Sequence, residues 1–91
     1  MIDKLISQGM SLESEVREEL GRQTISGDSF QQWIVKSIFY LEEYHKDSLI
    51  TEDLKQGYKK MNGFNNYQYY KKLLNTLHAA KEIEDNTTYI G

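Results

Sequence analysis

The 91-residue chain contains no cysteine and no proline. Without cysteine, a disulfide framework, a thiolate zinc site and a catalytic thiol are all excluded. The chain also lacks an apolar run of roughly 18 residues, the length that a membrane-spanning helix needs, and residues 1–6 lack the apolar core of a signal peptide. We therefore expect a cytoplasmic protein that has no membrane partner.

Catalytic sequence motifs are absent as well. The chain has no phosphate-binding loop, dinucleotide fingerprint, zinc-protease helix, nucleophile elbow or EF-hand loop. His45 and His78 are 33 residues apart, and a metal site needs three or four convergent ligands, so we expect both on the surface and no metal site. The sequence predicts a protein that is not an enzyme, with no cofactor and no small-molecule substrate.

The overall composition is that of a folded domain. Hydrophobic residues make up 38% of the chain and charged residues 27%, which differs from the low-hydrophobicity, high-charge composition of disordered chains. A chain of this size fits a single domain with one modest core. We therefore expect one domain over residues 1–91, either a whole protein or a module of a longer one.

Helical spacing of apolar residues runs through the first half of the chain. It predicts either one helix over residues 2–20 or two helices that are divided at Gly9 and Ser11. Residues 22–28 are typical of a loop. Asp28 stands three residues before Gln31, as in a capping box, which predicts a helix over residues 29–45.

The second half has the same helical character. Thr51 stands at a position typical of an N-cap, which predicts a helix over residues 52–61. Asn62-Gly63 is expected to end that helix, and the apolar spacing predicts another helix over residues 66–80. For residues 82–90 the sequence leaves two alternatives, a continuation of the helix or a short β-hairpin.

These patterns predict a mostly α fold, with four or five helices around the central helix 29–45. The alternative includes a short C-terminal β-hairpin. Phe30, Trp33 and Phe39 are expected in the core, because aromatic residues at helical spacing on a central helix usually pack inside. The apolar stripe of residues 2–20 predicts a homodimer or larger assembly through that helix.

Charge is unevenly distributed along the chain. The net charge is −3, yet residues 55–81 hold six lysines and no acid, while residues 1–54 hold 5 basic and 11 acidic side chains. Because lysines neutralise phosphates and tyrosine rings stack on bases, this basic stretch is a candidate nucleic-acid surface. The candidate nucleic-acid-binding residues are Lys55, Lys59, Lys60, Tyr67, Tyr69, Lys71 and Lys72.

The helix order carries a first resemblance. Helices 29–45, 52–61 and 66–80, followed by the strands Lys81-Glu82-Ile83-Glu84 and Thr88-Tyr89-Ile90, resemble a winged helix-turn-helix domain over residues 29–91. The resemblance implies that the helix-turn-helix binds DNA. The wing departs from the family pattern, because its acidic side chains would repel phosphate.

A second resemblance covers nearly the whole chain. The segment Ile25-Ser26-Gly27-Asp28-Ser29-Phe30-Gln31-Gln32-Trp33, together with Tyr40-Leu41-Glu42, Asp47-Ser48, Tyr69-Tyr70-Lys71 and Lys81-Glu82, is similar to helical N-terminal segments of bacterial proteins linked to phage defence. There such a segment precedes an effector domain. The resemblance implies an accessory recognition or assembly module and brings no catalytic motif.

The sequence therefore predicts a non-enzymatic binding module. Its partner is DNA or RNA, bound through residues 55–81; the alternative is a protein, in an interaction or oligomerisation module such as the accessory domain of a defence effector. Salt separates the two, because phosphate contacts weaken steeply with ionic strength and apolar protein contacts do not.

Overall fold

A computed structural model of the chain describes residues 1–87. Most of these residues are helical, as expected from the sequence, and a small antiparallel sheet accompanies the helices. In chain order the elements are α1 (Ile2–Ser11), a 3-10 turn (Leu12–Glu15), β1 (Arg17–Glu19), β2 (Arg22–Thr24), α2 (Asp28–Tyr44), α3 (Leu49–Lys59) and α4 (Asn66–Thr87).

The two strands correct the expectation of helix up to residue 20 and of a loop from residue 22. They pair antiparallel, with Arg17 opposite Thr24 and Glu19 opposite Arg22. Leu20 and Gly21 connect them with φ angles of 51° and 79°, the left-handed conformation of a two-residue hairpin turn. A helix cannot continue through two such residues, so helix ends at the 3-10 turn.

Asn66 fixes the hairpin to α4. Its side-chain oxygen accepts hydrogen bonds from the Thr24 hydroxyl at 3.1 Å and from the backbone N–H of Ile25 at 3.2 Å. All three residues are buried. Burying these polar groups is favourable only because they are paired with one another.

Two of the predicted helix caps are wrong. Gly27 precedes α2 with a φ of 118°, and Asp28 is already the first helical residue. At the start of α3 the cap is Ser48, whose hydroxyl accepts the backbone N–H of Ile50 at 3.1 Å. Thr51 lies inside the helix, where its hydroxyl donates to a backbone carbonyl of the preceding turn.

The C-terminal part of α4 excludes most of the expected hairpin. Residues 82–87 are helical, so the hairpin over residues 82–90 is wrong for that part. The second wing strand, Thr88-Tyr89-Ile90, lies outside the described residues. Lys81 supports the helix through an ion pair to Asp85, one turn further on, at 3.6 Å.

The core is built around Trp33 on α2 and Tyr70 on α4, whose rings are 5.6 Å apart. The Trp33 indole N–H donates to the backbone carbonyl of Leu5 at 2.8 Å, and the Tyr70 hydroxyl donates to that of Gly9 at 2.6 Å. Burial raises the pKa of Tyr70 to about 12. Phe30 lies in this core as well, so two of the three expected core aromatics are confirmed.

Two faces differ from expectation. The apolar stripe of α1 is buried against α4 and α2. The prediction that residues 2–20 present this stripe as an assembly surface is therefore wrong. The outer side of α2, expected to be buried, is exposed at Phe39 to 70% and at Val35 to 38%. The helix that packs against every other helix and also β2 is α4.

Candidate functional site

Half of the lysines in residues 55–81 are neutralised by acidic side chains. The Lys55 ammonium lies 2.7 Å from a carboxylate oxygen of Glu42 on α2 and 3.5 Å from one of Glu52. The hydrogen bond to Glu42 is the largest factor that raises the pKa of Lys55. The Glu42 partner lies on another helix, so local sequence spacing does not reveal it.

Lys72 and Lys81 are held in the same way. Lys72 forms an ion pair with Asp53 of α3. Lys81 pairs with Asp3 of α1 at 2.6 Å, and this contact raises the pKa of the lysine. Acids from other parts of the chain thus lie among the lysines of the basic stretch and compensate three of its six positive charges.

Three lysines remain exposed. Lys59, Lys60 and Lys71 have no ion pair within residues 1–87. Lys59 and Lys60 stand at the end of α3, and Lys71 stands on the second turn of α4. Of the expected basic surface, these are the side chains available to an anionic partner.

The tyrosines do not form an exposed stacking surface. Tyr69 is 6% exposed, and its hydroxyl donates to the backbone carbonyl of Leu54 at 2.8 Å. Its ring packs on α3 at Gly57, where an added Cβ would lie 3.1 Å from the ring. Tyr67 is half-buried and its hydroxyl is 3.4 Å from a carboxylate oxygen of Glu13. The ring of Tyr69 is therefore not exposed, as stacking on a base would require.

The connection between α3 and α4 covers residues 60–65. Asn65 fixes it from both sides: its side-chain oxygen accepts the backbone N–H of Asn62 at 2.7 Å, and its amide donates to the carbonyl of Lys60 at 3.2 Å. Helix α4 then points one side into the core, with Tyr70, Leu73 and further apolar residues buried. Its other side faces outward.

Beside that outward side runs a groove of about 710 Å³. The opposite wall comes from the end of α2 and the start of α3, through residues such as Leu41, His45 and Ile50. On the α4 wall, several side chains are short and therefore leave room for the groove. The α4 residues along the groove are Tyr67, Gln68, Lys71, Lys72, Asn75, Thr76, Ala79, Ala80 and Ile83.

The groove is apolar at its centre. Leu41 and Ala80 are buried and form its floor, while Ile50 and Ile83 are 52% and 59% exposed at its sides. From residue 67 to residue 83 the α4 wall is about 24 Å long at ~1.5 Å per residue. The sequence did not reveal this site, although the short residues Asn75, Thr76, Ala79 and Ala80 on one side of α4 are a signal that could have.

The hydroxyl groups of the groove are already engaged. Thr51 donates to the carbonyl of His45 at 3.0 Å, and Thr76 donates to the carbonyl of Lys72 at 2.8 Å. Ser48 accepts from the start of α3. A small-molecule site needs convergent polar groups that fix orientation, and these hydroxyls are committed to the protein's own backbone.

His45, which lines the groove, belongs to a cluster of ionisable side chains. Glu84 accepts a hydrogen bond from the Tyr40 hydroxyl at 2.6 Å and lies 2.7 Å from Nε2 of His45. Burial acts to raise the pKa of Glu84, but the bonds from Tyr40 and His45 outweigh it and lower that pKa. His45 is therefore not the solvated side chain that the sequence indicated.

Within residues 1–87, no group of three or more histidine and acidic side chains could hold a metal ion. No helix in the same part of the chain is long and apolar enough to cross a membrane. Comparison of the chain with protein-family models, with curated proteins and with solved structures finds no match. The geometry of the groove and of the three exposed lysines is therefore the basis for a functional proposal.

Proposed function

We propose that the protein is a non-enzymatic module that binds a helical segment of a partner protein in the groove along α4. One observation carries the proposal: a groove of about 710 Å³ with an apolar centre runs beside the outward side of α4. An amphipathic helix that lays its apolar face into such a groove is a common mode of recognition.

The dimensions favour a helix as the occupant. A wall of about 24 Å corresponds to roughly four turns of helix, which would place three or four apolar anchors along it. Ile50 and Ile83 stand at the two sides of the groove and are half exposed, so they would cover such anchors. Burial of this apolar surface supplies the affinity.

Charge sets the direction of the bound helix. Lys71 is exposed along the groove and has no ion pair within residues 1–87, whereas His45, which also lines the groove, lies 2.7 Å from the Glu84 carboxylate. An acidic residue on the partner helix therefore fits beside Lys71. The similarity to segments that precede effector domains makes a bacterial defence effector the first partner to test.

The experiment is a selection of helical peptides on the immobilised protein. We expect enriched peptides with apolar residues at i, i+3 or i+4 and i+7 and an acidic residue near one end. Ala79→Glu, which places a charge in the apolar centre, should abolish their binding. His78→Glu is the matched control, because His78 is the exposed neighbour outside the groove.

The proposal fails if no peptide is enriched over a scrambled library, or if the enriched peptides bind the Ala79→Glu protein as well as the unchanged one. Both variants lie on the solvent side of α4 and should alter the free energy of unfolding by less than about 0.5 kcal/mol. Thermal unfolding of each variant checks this.

Nucleic-acid binding is the second candidate function. Lys59, Lys60 and Lys71 support it, because they are exposed and without ion pairs in the described part of the chain. Three phosphate contacts predict weak binding whose affinity falls as salt rises. Titration of single- and double-stranded DNA and RNA at low salt tests it, with all three lysines changed to glutamate as the negative variant.

If the unchanged protein binds none of these nucleic acids below about 100 µM, weaker than ordinary non-specific affinity, this candidate is eliminated.

A further inference from the structure

The connection between α3 and α4 carries an exposed aromatic ring, that of Phe64, which is 73% exposed. The guanidinium carbon of Arg22, on the hairpin, lies 4.3 Å from the centre of this ring. A guanidinium at such a distance is attracted to the face of the ring and favours one orientation of it. Arg22 therefore covers one face of Phe64, and the opposite face is open to a second flat partner.

Side-chain hydrogen bonds fix the backbone that carries this ring. The N–H of Phe64 donates to the side-chain oxygen of Asn62 at 2.8 Å. Asn65, the next residue, bonds both to the N–H of Asn62 and to the carbonyl of Lys60. Because these bonds hold the connection in one conformation, a ligand that stacks on the ring has little loop ordering to offset. They also place Phe64 beside the end of α3.

The charge near the ring is positive. Lys59 and Lys60 precede the connection, are exposed and have no ion pair within residues 1–87. Arg22 is exposed as well, and Glu19, which stands opposite it in the hairpin, forms no ion pair with it. Glu18 belongs to the other face of the hairpin, because successive side chains of a strand alternate. Phe64, Arg22, Lys59 and Lys60 together form the turn surface.

We propose that the turn surface binds single-stranded nucleic acid, with an unpaired base on the open face of Phe64 and phosphates on Lys59 and Lys60. An exposed ring beside cations suits a single strand, because every base has a flat face and every nucleotide has a phosphate. A duplex keeps its bases stacked on one another, so the ring has no base to accept. The site rests on the nucleic-acid candidate above and shares no residue with the lining of the groove.

Titration of a labelled thymidine strand of about 12 nucleotides, a usual site size for such proteins, measures the binding by fluorescence anisotropy. At low salt we expect a dissociation constant below about 100 µM. Phe64→Ala should weaken binding by about fivefold or more, because one stacked base is lost. Phe39→Ala is the matched control, since Phe39 is 70% exposed on α2. It should leave the dissociation constant unchanged.

Phe64→Trp gives a direct reading of the stacking. It keeps a flat ring at this position, so it should bind the strand at least as well as the unchanged protein. The natural Trp33 is 2% exposed, so the strand should quench only the introduced indole. In Phe39→Trp, the control, the introduced indole should not be quenched.

The phosphate contacts are tested by the salt dependence. Each phosphate contact with a single strand contributes about −0.7 to the slope of log affinity against log salt concentration. Lys59→Gln combined with Lys60→Gln should therefore make this slope shallower by about 1.4. Lys4→Gln combined with Lys46→Gln removes two other exposed lysines and should leave the slope unchanged.

A Phe64→Ala protein that binds the strand as well as the unchanged protein would overturn the proposal, even where the lysine variants show that the nucleic-acid candidate holds. So would an unquenched indole in Phe64→Trp, or equal affinity for the matching duplex. Circular dichroism confirms that each variant is folded.

The groove and the turn surface are separated by one further variant. Ala79→Glu, which is expected to abolish peptide binding, should bind the strand within about twofold of the unchanged protein, because Ala79 lies in the groove and not on the turn surface. Loss of strand binding in Ala79→Glu would contradict the proposal. An unchanged protein that binds no strand below about 100 µM would eliminate both this site and the nucleic-acid candidate.

Discussion

Two tyrosine hydroxyls are enclosed at opposite ends of the helical core, and they have different partners. Tyr70 donates to the backbone carbonyl of Gly9 at 2.6 Å, beside the indole of Trp33. Tyr40 donates to the carboxylate of Glu84, also at 2.6 Å, and His45 shares that carboxylate. At the first end the acceptor is a neutral backbone group, and at the second it is an ionisable side chain.

Because of this difference, the contact of Tyr70 should be independent of pH, whereas the contact of Tyr40 with Glu84 should depend on pH. The bond from Tyr70 joins α1 to α4 and does not change between pH 4 and pH 9, because neither group ionises there. The cluster around Glu84 joins the ends of α2 and α4 beside the groove, and its carboxylate titrates. Substitutions at the first end should therefore cost more stability than those at the second.

The largest effect is expected at Gly9, inside the first region. A Cβ atom there would lie 2.5 Å from Cζ2 of Trp33 and 2.9 Å from Cδ1 of Leu74. Gly9→Ala should lower the free energy of unfolding by about 2 kcal/mol, because an overfilled core must shift. Gly63→Ala, where a Cβ would meet nothing within 4 Å, is the control. Urea denaturation of both variants measures the difference, and equal stabilities would contradict the close packing of α1 on Trp33.

A smaller loss is expected when the Tyr70 hydroxyl is removed. Tyr70→Phe keeps the ring between Trp33 and Phe30 and deletes one buried hydrogen bond, which should cost about 1 kcal/mol. The loss should be the same at pH 4 and pH 8, since its acceptor is a backbone carbonyl. A loss that varies with pH over this range would contradict the pH independence of the Tyr70 contact.

The smallest effect, and the one that depends on pH, is expected at Glu84. Its lowered pKa means that the folded state favours the carboxylate, so this stabilisation is present above the ordinary pKa of 4.5 and is lost as pH falls through the lower, folded-state pKa. Glu84→Gln should therefore destabilise by less than about 1 kcal/mol at pH 7. The difference from the unchanged protein should shrink below pH 4.5.

Denaturation curves at a series of pH values measure this convergence. A gap between Glu84→Gln and the unchanged protein that is constant from pH 7 to pH 3 would show that the carboxylate's charge has no part in holding the ends of α2 and α4 together.

The apolar spacing of the sequence predicted the inward side of α4 correctly. Tyr70, Leu73 and Leu77 are all fully buried, because residues at three- and four-residue intervals share one side of a helix. Trp33 is likewise in the core, as expected. These positions could be found because local geometry alone decides which side they occupy.

The hairpin at residues 17–24 could not be predicted by the same reasoning. All three residues of β1 are exposed, so the strand has no alternation of apolar and polar residues that would mark it. Its position depends on the left-handed turn at Leu20 and on the bonds from Thr24 and Ile25 to Asn66. The two hydrogen bonds to Asn66 join residues that are 42 and 41 positions apart in the sequence.

The basic surface was overestimated for a related reason. Counting charges along the chain gives a run of lysines without an acid, but Lys55, Lys72 and Lys81 each contact an acid outside that run. Tyr69 falls outside the simple apolar line and is buried all the same, because Gly57 leaves room for its ring on α3. The three-dimensional neighbours, and not the local pattern, decide which of these residues a partner can reach.

The central claim, that the groove along α4 is the binding surface, is tested most directly by nuclear magnetic resonance of the backbone amides with a selected helical peptide. The account predicts that titration shifts the resonances of residues along the groove, above all Ile50, Asn75, Ala79 and Ile83, and leaves those of Lys59 and Lys60 in place. Shifts confined to Lys59, Lys60 and the turn before α4 would contradict it.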